Sequence, residues 1–214
     1  MKKTMDDLFG LIDIAKPDEG LANLQLPSPD YLSYYKNLQD RIITLYDGID
    51  IDTIYEYIEN IIMFNKMDKG IPVEERKPIK IRMSSYGGDV DAALAFVACV
   101  EKSKTPVYTY NMGVCMSAAA IMFLSGHKRL AMPNSQYLLH QGYARIESSQ
   151  TAVIEQVEEL KKNRDKIRDY VMSKTKIDKK TWTKAQKSEW FISVDECVEL
   201  GIVDKIVDDI DELY

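Results

Sequence analysis

This chain is poor in the residues that metal and redox centres need. It has two histidines, His127 and His140, and three cysteines, Cys99, Cys115 and Cys197, in 214 residues. Two scattered histidines do not make a zinc site, so neither a metal nor a cofactor is expected. The cysteines are odd in number, far apart and mostly inside apolar runs. They read as reduced thiols in the core of a cytoplasmic protein rather than as a disulfide frame. No stretch approaches the roughly 18 apolar residues of a membrane span, and the first residues carry no signal-peptide segment. Membrane insertion is therefore not expected. There is no long basic block, and the net charge is -6, which argues against nucleic acid as a partner. Apolar residues at 45% exclude wholesale disorder. The length suits one domain with a substantial core and a small appendage.

What is present is a rhythm of short apolar strands and helices. Residues 1–38, broken by Pro17, Pro27 and Pro29 and carrying Tyr31, Tyr34 and Tyr35, read as a peripheral extension. Arg41–Tyr46 is predicted as a strand stopped by Asp47-Gly48. Apolar residues at Ile51, Ile54, Tyr55, Ile58, Ile61 and Ile62 have the spacing of a helix with one buried face. Ile79–Met83 and Val107–Tyr110 are further strands, separated by a helix over Val90–Val100 that is apolar on nearly every side. A short helix follows over Ala118–Leu124. Lys128–Met132 and Tyr137–Leu139 are strands split by the turn Pro133-Asn-Ser135. The longest predicted helix covers residues 148–173, with a narrow apolar stripe and charge elsewhere. A shorter one covers Lys179–Lys187. Ser193-Val-Asp-Glu196 is a capping-box pattern that opens a short helix ending near Gly201. Ile202–Val207 adds an edge strand, and residues 208–214 run as an acidic tail into solvent. The alternation is that of an α/β layered fold.

Three strand ends carry unusual punctuation: Gly87-Gly88, Ser117, and His140-Gln-Gly142. Sites in α/β sheets form outside the carboxyl ends of strands, so neighbouring strands would bring these features together. Ser117, where a strand turns into a helix, would be the nucleophile; its bland alternative is a serine capping a buried helix. A serine hydroxyl needs a base to take its proton, and His140 suits that role. His127, beside Gly126 and Lys128 in a loop, reads as a surface residue. The N–H groups of Gly88 and Ala118 would hold a developing oxyanion. An extended peptide would bind beside Gly87, Gly88, Gln141 and Gly142. Read alone, the double glycine is a tight turn. It lacks the spacing of a dinucleotide loop, and the serine lacks the Gly-x-Ser-x-Gly elbow of α/β-hydrolases.

Four segments in order, Met83-Ser-Ser-Tyr-Gly-Gly-Asp-Val90, Gly113-Val-Cys-Met-Ser117, Ala131-Met-Pro-Asn-Ser-Gln-Tyr-Leu-Leu-His-Gln141 and Leu200-Gly-Ile-Val-Asp-Lys205, resemble the Clp protease proteolytic subunit family of serine peptidases. The resemblance covers about residues 40–207. It implies a crotonase-like ββα spiral within α/β, with a protruding helical handle at about 143–175 in a peptidase domain of residues 39–207. It implies a serine endopeptidase acting on unfolded or extended polypeptides inside a homo-oligomer of stacked rings, a tetradecamer, served by an AAA+ unfoldase. Ser117, His140, Gly88 and Ala118 take the roles given above. The family's triad acid is an aspartate just before an aromatic-x-Ser segment. The matching stretch, Lys187-Ser-Glu-Trp-Phe-Ile-Ser193, puts Glu189 there, with Asp178 and Asp195 in reserve. Two departures stand out: Tyr86 replaces the proline before the double glycine, and the first 38 residues do not resemble the family's short axial loop. Three alternatives share these residues in whole or part: a processing peptidase with few substrates, a catalytically impaired ring subunit, and a crotonase-like acyl-CoA enzyme.

Overall fold

The structure, a computed structural model, describes residues 28–142, 147–185 and 187–214. Most of the predicted N-terminal extension (residues 1–27, with Pro17 and Pro27) and the start of the predicted handle (143–146) lie outside the described residues. The chain divides into two units, residues 1–36 and 37–214. The described part of the first holds the beginning of helix α1 (Pro29–Gln39). There Tyr31 and Tyr34 each meet Tyr35 edge to face, the aromatic cluster expected from their spacing.

The second unit is built on strands β1 (Ile42–Leu45), β2 (Ile79–Ser85), β3 (Val107–Met116), β4 (Lys128–Ala131), β5 (Gln136–Leu139), β6 (Trp190–Ser193) and β7 (Lys205–Ile206). One seven-stranded sheet runs in the order β1-β2-β3-β4-β7, with β5 branching from β3 and β6 joined to β5. Every pairing is parallel except β5 with β6. The crotonase-like ββα spiral is thus corrected to an α/β fold with a mixed sheet. The reason lies in β3, whose ten residues far outrun the predicted Val107–Tyr110. Its Tyr108–Asn111 half pairs with β4 and its Val114–Met116 end pairs with β5, so the sheet forks along one strand.

Alternation in β2 buries Ile79, Ile81 and Met83 and leaves Lys80, Arg82 and Ser84 partly exposed. Helices α2 (Ile51–Met67), α3 (Val90–Lys102) and α4 (Ala118–Phe123) supply the apolar side chains of the main core. Helix α2 starts at a reciprocal cap between Asp50 and Thr53. It ends at Asp68, whose buried carboxylate takes both Arg41 guanidinium nitrogens at 2.7 and 2.6 Å and the Thr105 hydroxyl at 2.8 Å. Those bonds, the Arg41 contact foremost, hold the Asp68 carboxyl below the usual carboxylate value. The long helix α5 (Gln150–Lys174) matches its predicted span, and Val171 is its buried residue. Helices α6 (Lys179–Ala185) and α7 (Val194–Glu199) follow. The last residues depart from expectation. They turn back in a 3-10 turn, Ile210–Leu213, that seats Leu213 against Tyr110, Leu130 and Val207. The Tyr110 hydroxyl donates to Glu212 O at 3.0 Å and Arg82 to Leu213 O at 2.9 Å. Burying Leu213 favours this return of the acidic run onto the sheet by about 1.5–3 kcal/mol, and these hydrogen bonds fix it there.

Candidate active site

Strands β2, β3 and β5 run parallel, so their carboxyl ends open on the same edge of the sheet. Gly87-Gly88 follows the first, Ser117 the second and His140 the third, and the three expected features do meet.

Ser117 occupies the single residue between β3 and α4, with φ 55° and ψ -123°. A non-glycine residue held at positive φ stores about 1–3 kcal/mol and needs its surroundings to fix it. Here the Ser117 N–H donates to Leu138 O at 3.0 Å, and Ser117 O accepts from Ala120 N at 3.0 Å. Below it, the buried Tyr137 hydroxyl donates to Ala120 O at 2.7 Å, pinning the first turn of α4. The Ser117 side chain makes no capping hydrogen bond to that helix. Its Oγ lies 2.7 Å from His140 Nε2 instead. The helix-cap alternative is thereby set aside, and the hydroxyl has a base in contact.

Gly87 and Gly88 are glycines by necessity. At φ 101°, a Cβ on Gly87 would stand 2.6 Å from Met116 O, 2.9 Å from Ser117 Cβ and 3.0 Å from Ala118 N. One on Gly88 would stand 2.1 Å from Ile49 O. The loop is stitched in place by Ile49 N to Gly87 O (3.0 Å), Asp89 N to Ile49 O (2.7 Å) and the Ser85 hydroxyl to Asp47 O (2.7 Å). None of these bonds uses the Gly88 N–H. Ala118 is the first residue of α4, where a helix leaves N–H groups without intrahelical partners.

Glu189 immediately precedes Trp190, the β6 residue that pairs with Leu139 at the end of the β5–β6 register next to His140. Glu189 is exposed, and among the described residues no hydrogen bond joins it to His140. The two reserve acids are placed otherwise. Asp178 accepts from Thr181 N at 2.7 Å as a helix cap, and hydrogen bonding from Thr181, its side chain first and its backbone next, lowers the Asp178 pKa. Asp195 lies beyond Ser193, which pairs with Gln136 at the far end of β5 from His140. His127 is on the surface, as expected, at the amino end of β3. Its Nδ1 accepts from Val107 N at 2.9 Å.

A pocket of about 360 Å³ opens beside Ser117. Ala118, Ile121, Leu139 and His140 form one side, and Val157, Leu160 and Ile167 of α5 the other. Gln141 and Gly142 line it, whereas Gly87 backs Ser117. The apolar stripe of α5 was legible in the sequence as spacing, but the expected buried seam holds only at Val171; Ile154, Val157 and Leu160 stay exposed, and Val157 and Leu160 face the pocket of the nucleophile instead. A larger cleft, about 750 Å³, surrounds His127 and Lys174, away from the Ser–His pair. The nearby cysteines are inert. Burial pushes the Cys115 thiol far up and that of Cys197 to about 12. No group of three or more His, Cys, Asp or Glu suited to a metal occurs among the described residues, and no helix among them is long and apolar enough to cross a membrane.

The Clp protease family model matches residues 29–209. ATP-dependent Clp protease proteolytic subunit 2 of Treponema denticola is 39% identical over 132 residues, 61% of this chain and 66%, just under two thirds, of that protein. The ATP-dependent Clp protease proteolytic subunit of Deinococcus radiodurans is 27% identical over 180 residues, 83% of this chain and 85% of that protein. Among solved structures, a ClpP1 mutant from Listeria monocytogenes superposes with a TM-score of 0.73 at 21% identity, covering 85% of this chain and 99% of that chain. That likeness carries the fold: the mixed α/β sheet is the ClpP arrangement.

Proposed function

Because this chain belongs to the Clp protease family, as a peptidase subunit, we propose that it hydrolyses peptide bonds with Ser117 as nucleophile, His140 as general base and Glu189 as the acid that orients His140. The observation that carries the reading is the 2.7 Å contact between Ser117 Oγ and His140 Nε2. For Nε2 to accept the serine proton, the ring carries its other proton on Nδ1. A carboxylate across the strand pair favours that tautomer and the imidazolium that forms as Oγ attacks the carbonyl carbon. The N–H groups of Gly88 and Ala118 receive the tetrahedral oxyanion. Each such donor is worth about 3 kcal/mol in the transition state. His140 then passes its proton to the leaving amine. Water, deprotonated by the same ring, cleaves the acyl-enzyme. An extended polypeptide lies along Gly87-Gly88 and Gln141-Gly142, held mainly by backbone hydrogen bonds.

Residues 39–207 carry this peptidase domain, with 143–175 as a handle between two rings and 1–38 as an extension. The working form is a homo-oligomer of stacked rings, a tetradecamer, in the cytoplasm. Supporting this, α2 leaves Ile51, Tyr55, Ile62 and Met67 in solvent and α5 leaves Ile154, apolar side chains that a neighbouring subunit would cover. The relatives are named ATP-dependent, and an AAA+ unfoldase is the partner that would supply the ATP hydrolysis. The test is hydrolysis of short fluorogenic peptides by wild type and Ser117→Ala, with assembly mass measured on the same samples. Activity falling by at least about 10⁴-fold at constant mass supports the reading. A well-formed assembly with no turnover and no fluorophosphonate labelling of Ser117 refutes it.

A further inference from the structure

The pocket beside Ser117 is sorted by charge as well as by polarity. On its α5 side the lining reads Val157, Leu160, Lys161, Asn163, Arg164 and Ile167, all but Asn163 at successive positions on one helical face. That helix also carries Glu155, Glu158, Glu159, Asp165 and Asp169, yet none of these lines the pocket. The two cations are available. Lys161 makes no ion pair with a described residue. Arg164 has only a loose contact with Asp165, at 3.7 Å with its side chain 53% exposed, while Asp165 is held by Arg168 at 2.8 Å. The pocket's one acidic lining residue among those described is Asp91. It stands in the first turn of α3, where the helix's own N–H groups complement its charge. An apolar floor with two cations on one wall, neither held by a close ion pair to a described residue, is the complement of an apolar side chain with a carboxylate next to it.

We propose that Lys161 and Arg164 are specificity-determining residues, which make the site prefer polypeptides with an apolar residue at the scissile bond and an acidic residue immediately before it. The apolar side chain enters among Ala118, Ile121, Leu139 and Leu160, and the carboxylate of the preceding residue meets Lys161 and Arg164 from the α5 side. This rests on the peptidase reading above. Exposed ion pairs are individually weak, so the two together give a preference of about threefold to tenfold. It shrinks in about 1 M salt, where screening acts over roughly 3 Å.

The experiment uses the full chain in its native assembly and two fluorogenic peptides that end in Glu-Leu or Lys-Leu before the reporter. The quantity read is the ratio of their kcat/KM values within one sample, so differences in assembly between variants cancel. The expected wild-type ratio favours Glu-Leu by about fivefold, and the double variant Lys161→Glu/Arg164→Glu inverts it. Binding of the same sequences, fluorescein-labelled, to Ser117→Ala by anisotropy gives a second reading that needs no turnover. If both peptides are cleaved in a Ser117-dependent way with a ratio near one, or with a ratio the double variant leaves unchanged, the inference is overturned and the peptidase reading stands. If neither is cleaved, the peptidase reading is in question, and equal affinities in the anisotropy experiment overturn the charge preference separately.

Discussion

Gly87→Ala would strike the chemistry without touching a reacting side chain. The added methyl would lie 2.6 Å from Met116 O, 2.9 Å from Ser117 Cβ and 3.0 Å from Ala118 N. All three neighbours are backbone or Cβ atoms on the turn that carries the nucleophile, so none can rotate away. Relief needs a displacement of roughly half an ångström between the β2 loop and the start of α4, which takes a donor out of the 2.7–3.1 Å range that an oxyanion requires. Removing one such donor costs about 10²–10³ in kcat. The loss falls on kcat rather than KM because the interaction exists only in the transition state. The φ of 101° adds about 1–3 kcal/mol of backbone strain, lowering the melting temperature by about 2–10 °C. Gly70→Ala separates the two effects. Gly70 has φ 95° with nothing within 4 Å of its would-be Cβ, so it should lose stability and keep activity. Fluorogenic peptide kinetics and calorimetry on both variants are the assay. Gly87→Ala enzyme within threefold of wild-type kcat would refute the claimed contact between the glycine loop and the serine turn.

Arg41→Met strands the Asp68 carboxylate, which is 1% exposed, with Thr105 as its remaining side-chain partner. Denaturant unfolding should report a loss of about 3–5 kcal/mol, and a cost below 1 kcal/mol would show that the site rehydrates. Tyr137→Phe removes the bond to Ala120 O and should cost about 1–3 kcal/mol; an unchanged melting temperature would contradict a pinned α4. Glu212 is held at about 2, from 4.5, first by its bond to Lys205. A depressed carboxyl pKa contributes stability above the unfolded value that is lost as pH falls through the folded one. The melting-temperature gap between wild type and Glu212→Gln should therefore be present at about pH 5 and close towards pH 2. A gap that does not vary with pH would sink that assignment.

The sequence by itself determined most of the elements and the residues that could react. Period-two alternation in Ile79–Ser85 and three- and four-residue spacing in Ile51–Met67 are local signals, and the helix start at Ser193 is a local cap. Ser117, His140 and the double glycine were marked by type and position at strand ends, since parallel strands send their carboxyl ends the same way. Tertiary structure decided what depends on pairing partners distant in the chain. The fork of β3 between β4 and β5 replaced the expected spiral with a mixed sheet, because a ten-residue strand can be shared while its sequence says nothing of by whom. The pairing of β6 with β5 brought Trp190, the neighbour of Glu189, opposite Leu139, the neighbour of His140, across about fifty residues of chain. The return of Leu213 onto Tyr110 turned an acidic tail into a cover for the sheet. The stripe of α5 was visible as apolar spacing, but only packing turned it, with Lys161 and Arg164, towards the nucleophile. Helix periodicity fixes which residues share a face, and the rest of the molecule fixes where that face points.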